Sequence, residues 1–187
     1  SIGDVNEFPV SQPIDVDPTT NTIDEFSSNG TLVGLVAFAE DADATNNGVT
    51  YNLIDDAGAR FAIDPNTGWV RVADASLLDF EQAAQHQITV RATSVDGSTA
   101  EANFLIAVND LNDEQILVNN QPLNLSQGQL TTITNTHLLS LDQDHLSSQL
   151  VYTVVNAPLH GILLLNGAPS SQFTQADIDA GRVSYQH

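Results

Sequence analysis

Residues 88–92 read ITVRA and residues 102–108 read ANFLIAV, and in both stretches side chains of different polarity alternate. Such alternation is typical of β-strands that place one face on a core. Similar β-type runs recur about every ten residues in the first part of the chain, which favours an all-β sandwich. The runs predicted as strands are 31–39, 49–54, 60–63, 68–73, 86–92 and 99–108.

A second set of strand-like runs follows residue 113, and it predicts a second sandwich in tandem with the first. The predicted strands there are 116–118, 123–125, 130–134, 149–155, 161–165 and 182–185. Helical turns are predicted at 76–84 and at 173–181, the latter with Thr174 as N-cap and Gly181 as its end. We expect two tandem Greek-key β-sandwiches of immunoglobulin-like architecture, of which the second is incomplete.

The composition limits the classes of partner. The chain has 187 residues, 24 acidic against 4 basic side chains, and a formal net charge of −20. Nucleic acid and anionic membranes would repel such a chain. No apolar run approaches the roughly 18 residues that span a bilayer, so direct membrane insertion is not expected. There is no cysteine, which favours a bacterial over a eukaryotic secreted protein. Both ends look cut from a longer polypeptide.

The acidic residues of the first unit gather at loops and strand ends. Pairs with one intervening residue place two carboxylates on the same side of an extended backbone. Ca²⁺ requires six to eight oxygen ligands at about 2.3–2.6 Å, more than any single loop here supplies. The ligands of a calcium site would therefore converge from several loops. The four groups are Glu25, Asp41 with Asp43, Asp79 with Glu81, and Asp110 to Glu114.

The order of motifs over residues 10–114 resembles a cadherin repeat: DAD with NNG, then FAIDPNTGWV, LDFE, ITVRAT and DLNDE. In that family a linker of this type joins acidic residues of one repeat to a D-x-D pair of the next around up to three calcium ions. The resemblance implies ligands at the far junction from Glu25, Asp79, Glu81, Asp110, Asn112 and Asp113.

Residues 116–187 resemble a chondroitin-sulfate-proteoglycan repeat, through LLSLDQD, LVYTVVNAPLHGILLLNG and FTQADIDAGRVSYQH. Asp142 and Asp144 then occupy the D-x-D position of the same junction. The two resemblances imply an inter-repeat linker at 1–9, a cadherin-like sandwich at 10–113 and a proteoglycan-repeat or cadherin-like sandwich at 114–187 that is truncated at its C-terminus.

A second, weaker calcium site is expected at the N-terminal end of the first unit. The resemblance assigns it Asp4, Asn6, Glu7, Asp41, Asp43 and a carbonyl from Asn46 or Asn47. The family pattern has a further Asp where this chain has Ser94, and Asp96 stands two residues late. We therefore expect this site to be weak or empty.

Other functions are less well supported. None of the five histidines has the spacing of a zinc site, and no nucleophile motif is present. Paired carboxylates also occur in glycosidases, but a general acid needs a raised pKa, whereas acids around a divalent cation have a lowered one. Trp69, Tyr51 and Phe61 suggest a sugar-stacking platform, although Trp69 is expected in the core.

The sequence therefore predicts a non-enzymatic, calcium-dependent extender or adhesion module of a large bacterial surface or secreted protein. Its expected cofactor is Ca²⁺ and its first partners are neighbouring repeats of the same chain. The alternative is a module that itself binds a polysaccharide, or a like module on another cell.

Overall fold

The computed structural model describes residues 8–43 and 47–187, and nearly all of their regular structure is β. The chain divides into two compact units, which meet in sequence between Leu111 and Asn112. The expectation of tandem β-sandwiches is confirmed. Asp4, Asn6 and Glu7 of the predicted N-terminal site, together with Asn46, lie outside the described residues.

The first unit is built from two four-stranded sheets. Their orders are β1-β3-β6-β5 and β2-β8-β7-β4, and within them only β2 and β8 pair in parallel. The strands are β1 (Ile14–Asp15), β2 (Thr22–Asp24), β3 (Leu32–Phe38), β4 (Val49–Asp55), β5 (Phe61–Ile63), β6 (Trp69–Val72), β7 (Gln85–Ser94) and β8 (Thr99–Asn109). A short 3-10 helix, Ala75–Leu77, precedes β7.

The alternating side chains of residues 88–92 and 102–108 determine which face of each strand is buried. In β7 the side chains of Ile88, Val90 and Ala92 are fully buried, while the residues between them are more exposed. β7 and β8 pair in unbroken antiparallel register from Gln85 to Thr93. The inward side chains of both sheets form one core that includes Leu35, which removes apolar surface from water.

The second unit contains smaller sheets. Their orders are β10-β16-β13-β14, β11-β9 and β12-β15. The strands are β9 (Ile116–Asn120), β10 (Leu130–Thr132), β11 (Leu138–Leu141), β12 (Val151–Thr153), β13 (Ile162–Leu165), β14 (Ala168–Pro169), β15 (Gln172–Thr174) and β16 (Val183–Gln186), with one α-helix, α1 (Gln175–Asp179).

Helix α1 begins as the sequence predicts. Thr174 is the N-cap, and its hydroxyl accepts the backbone N–H of Asp177 at 3.2 Å. The carboxylate of Asp177 accepts the backbone N–H of Thr174 at 2.8 Å, which completes a capping box. The buried Ile178 of this helix packs with Phe173 and Val183 in the core of the second unit.

Three local expectations were wrong. Residues 123–125 form no strand, and β11 was not predicted. The helical turn expected at 76–84 is only the 3-10 helix Ala75–Leu77 followed by hydrogen-bonded turns. Trp69 does not lie in the core: its side chain belongs to the outward face of β6, and the residue is 39% exposed.

Candidate calcium-binding clusters

Glu25 is the most deeply buried acidic residue of the described chain, at 2% exposure, and it directly follows β2. One carboxylate oxygen accepts the backbone N–H of Phe80 at 2.8 Å, and the other accepts the backbone N–H of Leu111 at 2.7 Å. Glu25 therefore ties the LDFE loop and the last residue of the first unit to the end of β2.

Glu25 is joined by Glu81 and Asp110, as the sequence predicts. One ligand oxygen from each of these three carboxylates lies within 4.8 Å of the others, although Glu81 and Asp110 are exposed. Asp79, the other predicted ligand from this loop, is not part of the trio. Its carboxylate instead accepts the backbone N–H of Gln82 at 2.8 Å.

A second acidic cluster in the first unit contains Asp41 and Asp43, which are 8% and 6% exposed. The carboxylate of Asp96 completes it, with one ligand atom of each residue within 4.8 Å of the others. Asp43 accepts the backbone N–H of Phe8 at 3.0 Å, and Asp41 accepts that of Asp43 at 3.0 Å. The remaining oxygen of Asp41, Oδ2, is buried and has no hydrogen-bond partner within the described part of the chain.

The contribution of Asp96 corrects the interpretation drawn from Ser94. Strand β7 ends at the buried Ser94, and the hairpin that follows brings Asp96 back to the D-x-D pair. The Asp96 carboxylate accepts the backbone N–H of Ser98 at 2.7 Å, which fixes this turn. Sequence spacing alone hid this, because a hairpin turn displaces the side chain by two positions. Asn47, also assigned to this site, is exposed.

The second unit presents Asp142, Asp144 and His145 together, with ligand atoms within 4.8 Å of one another. Asp142 Oδ1 accepts the backbone N–H groups of Asp144 and His145, each at 3.0 Å, and lies 2.9 Å from His145 Nδ1. Burial raises the pKa of Asp142, but its hydrogen bonds to His145 and to these N–H groups outweigh burial and lower it. His145 was missed because no metal-site spacing marks it.

The two predicted linker ligands of the second unit, Asn112 and Asp113, lie beside this loop. Asp113 donates its backbone N–H to the Asp144 carboxylate, and its own carboxylate accepts the side-chain amide of Gln143 at 3.0 Å. The Asn112 side chain donates to the Asp113 carbonyl at 2.6 Å. The loop is therefore held in place by hydrogen bonds within the unit.

These donor sets fit calcium better than a transition metal in the first unit, because all their ligand atoms are carboxylate oxygens. Each trio supplies fewer than the six to eight oxygens that Ca²⁺ takes, so carbonyls and water would complete the shell. The buried, unpartnered oxygen of Asp41 is the group that most needs such a cation, since a buried polar atom without a partner is costly.

Comparison with known proteins agrees with the fold. Both units are similar to cadherin-type modules. Residues 19–109 match the cadherin domain model, and residues 115–187 match a second family model described as cadherin-like. The chain thus carries two cadherin-like domains.

Individual relatives fall into the same two groups. Human protocadherin beta-1 is 36% identical over 94 residues, which are 49% of this chain and 11% of that protein. Mouse chondroitin sulfate proteoglycan 4 is 34% identical over 100 residues, 50% of this chain and 4% of that protein. The chain therefore spans only a small part of the curated relatives it matches.

A solved structure agrees over nearly the whole chain. The crystal structure of mouse cadherin-23 EC22-24 is 25% identical, with a TM-score of 0.58, covering 99% of this chain and 56% of that one. Within residues 8–43 and 47–187, no helix has the length and apolar character required to cross a membrane.

Proposed function

We propose that the chain is a calcium-dependent extender or adhesion segment of a larger extracellular protein. In this proposal Ca²⁺ binds the carboxylates of the Glu25 cluster together with the acidic linker residues that follow β8, and it stiffens the linker. The observation that carries the proposal is Glu25, whose buried carboxylate gathers Glu81 and Asp110 around the point where the first unit ends.

The physical reason is electrostatic. Clustered carboxylates repel one another, and a net charge of −20 adds to that repulsion. A divalent cation bound by these carboxylates removes part of the repulsion and restricts the linker at the same time. Since cadherin domains typically act in calcium-dependent adhesion, the proposed location is extracellular. A bacterial cell surface, which the absence of cysteine favours, stays a prediction.

The test is to measure calcium binding, melting temperature and overall dimensions of the purified chain, the last two in calcium and in EGTA. We expect at least one bound Ca²⁺ by isothermal titration calorimetry, a higher melting temperature in calcium, and a narrower distribution of overall dimensions by small-angle X-ray scattering. Asp110→Asn should weaken all three effects. Asp17→Asn removes the same charge outside the three clusters and should leave them unchanged. Identical scattering and melting in both buffers would refute the proposal.

The same preparation separates an extender from an adhesive module. An extender stays monomeric in calcium at high protein concentration, whereas a module that binds a like module on another cell forms dimers that EGTA dissociates. Analytical ultracentrifugation across a concentration series, in both buffers, distinguishes the two outcomes.

A further inference from the structure

The outward face of the sheet β1-β3-β6-β5 exposes several large apolar side chains. Ile14, Leu32, Phe38 and Trp69 are between 39% and 57% exposed. Polar residues normally occupy the solvent face of an antiparallel sheet in a sandwich. Clustered rather than scattered exposed apolar groups mark binding surfaces.

The strand register brings the two aromatic residues of this face near each other. Val36 pairs with Trp69, and Phe38 pairs with Ile14. Val36 and Phe38 are two residues apart in β3. Both lie on its outward face, because the residues that alternate with them, Leu35 and Ala37, are buried. Phe38 and Trp69 therefore stand one diagonal step apart on neighbouring strands, where aromatic side chains reach each other.

A groove of about 480 Å³ opens beside Phe38, which lines it, whereas Trp69 lies on the neighbouring strand outside the lining. The volume of the groove is within the range of small-ligand sites, roughly 300–1,000 Å³. Val36 and Phe38 form its apolar wall. The rest of the lining mixes small apolar residues and Tyr51 with two amides, a hydroxyl and two carboxylates: Asn47, Asn66, Thr67, Glu40 and Asp41.

The polar rim of the groove is held rigidly. Asn66 and Thr67 belong to the turn 64–68, where the Asp64 carboxylate accepts both their backbone N–H groups at 2.9 Å. Those hydrogen bonds stabilise the ionised carboxylate and lower the pKa of Asp64. Gly68 then bonds to Ala37 of β3 through its carbonyl at 2.9 Å. The side chains of Asn66 and Thr67 remain exposed.

We infer that this groove binds a neutral saccharide. A pyranose ring has one face of C–H groups, which carry partial positive charge and stack on the negative face of an aromatic ring. Its hydroxyls both donate and accept, which suits carboxylate, amide and hydroxyl partners. Glu40, on a chain of net charge −20, would repel sulfated or uronic sugars whether or not a cation occupies the Asp41 cluster, so the ligand is neutral. A second copy of this strongly acidic chain is disfavoured for the same reason.

The test uses Trp69, the only tryptophan in the chain, as its reporter. The full chain is titrated with neutral polysaccharides (laminarin, galactomannan, mannan, dextran) and with acidic ones (alginate, chondroitin sulfate), each in calcium and in EGTA. We expect a saturable change in tryptophan fluorescence with at least one neutral polysaccharide and none with the acidic ones. Because the inference does not rest on calcium, binding in either buffer supports it, and its failure leaves the calcium titration unaffected.

Variants locate the site by affinity electrophoresis in gels containing the polysaccharide that binds. Phe38→Ala, in the wall of the groove, should weaken binding about tenfold or more, and Trp69→Ala, on the neighbouring strand outside the lining, should weaken it by a smaller factor. Leu105 is an apolar residue on the other sheet that is more exposed, at 54%, and Leu105→Ala should bind as the unmodified chain does. Circular dichroism checks that every variant is folded.

The inference is overturned if no neutral polysaccharide binds, if the acidic ones bind preferentially, or if Trp69→Ala and Phe38→Ala bind like the unmodified chain. It is also overturned if Trp69→Ala abolishes concentration-dependent dimerisation of the chain, because the face would then be a contact between copies.

Discussion

The substitution Glu25→Gln tests both roles of the most buried carboxylate. In the folded unit each oxygen of Glu25 accepts one backbone N–H, from Phe80 and from Leu111, in a site that is 2% exposed. Glutamine preserves the shape of the side chain, but one oxygen becomes an NH₂ group. That group would face a backbone N–H, so one hydrogen bond is lost and two donors oppose each other without solvent.

The expected cost follows from those contacts. A hydrogen bond to a charged acceptor contributes about 1.5–3 kcal/mol, and a buried donor left unsatisfied costs about 1–3 kcal/mol. These terms overlap, so we expect Glu25→Gln to destabilise the first unit by about 2–4 kcal/mol without calcium. For a domain of this size the melting temperature should fall by roughly 10–20 °C.

Calcium should widen the difference. A ligand at a hundred times its Kd stabilises the folded state by about 2.7 kcal/mol. If Glu25→Gln weakens calcium binding about a hundredfold, the same calcium concentration contributes only about 0.4 kcal/mol. The melting temperature of the variant should therefore scarcely respond to calcium, whereas that of the unmodified chain should rise.

The assay is thermal unfolding of the full chain followed by Trp69 fluorescence, which reports on the first unit, with and without calcium. Glu101→Gln is the matched control. Glu101 is an exposed partner of Arg91 at 2.5 Å, and such surface pairs contribute about 0–1 kcal/mol. An unchanged melting temperature in EGTA would refute the hydrogen-bond argument. A full calcium response in Glu25→Gln would refute its role as a ligand.

Three further outcomes are expected. Gly68→Ala should destabilise the first unit by about 4 kcal/mol or more in chemical denaturation, because an added Cβ would lie 2.0 Å from the Ala37 carbonyl oxygen. Gly97→Ala is the control: Gly97 has a similar positive φ but open space around it, so the substitution should cost only about 1–2 kcal/mol. Burial lowers the pKa of His86, the only histidine of the first unit, so the unfolded chain binds more protons than the folded chain below about pH 6.5. The free energy of unfolding of the first unit should therefore fall between pH 7 and pH 5, and it should fall less steeply in His86→Gln. Asp177→Ala should cost the second unit about 1–2 kcal/mol by removing the acceptor that completes the capping box of α1, and an unchanged urea midpoint would contradict this.

The sequence was sufficient where local periodicity and tertiary packing agree. β7 and β8 are long, alternate regularly and pair with each other, so their pattern predicted them within a few residues. β1 and β2 were missed because they have two and three residues and exist through pairing with β3 and β8, which no local pattern encodes. Trp69 was misplaced because aromatic character predicts burial on average but does not say which face of a strand it occupies.

The same distinction explains which ligands could be predicted. Two of the predicted pairs have only one intervening residue, and the structure brings each pair together as expected: Asp41 with Asp43, and Asp142 with Asp144. Glu25, Glu81 and Asp110 come from three distant segments, and only the resemblance to a known order of motifs grouped them. Asp96 and His145 carry no such mark, since a turn or a neighbouring hydrogen bond places them.

The difference between the two ends of the first unit bears on function. The Glu25 carboxylate already receives two N–H groups, so its position is set before any cation arrives. Asp41 instead retains a buried oxygen without a partner in the described chain, which penalises the ion-free state. A cation at the Asp41 cluster would therefore give that buried oxygen a partner, whereas one at the Glu25 cluster would meet a carboxylate that is already held in position. If both clusters bind calcium, the residues around Asp41 should show the larger gain in hydrogen-exchange protection on adding calcium. The resemblance to cadherin repeats alone had suggested the weaker site there.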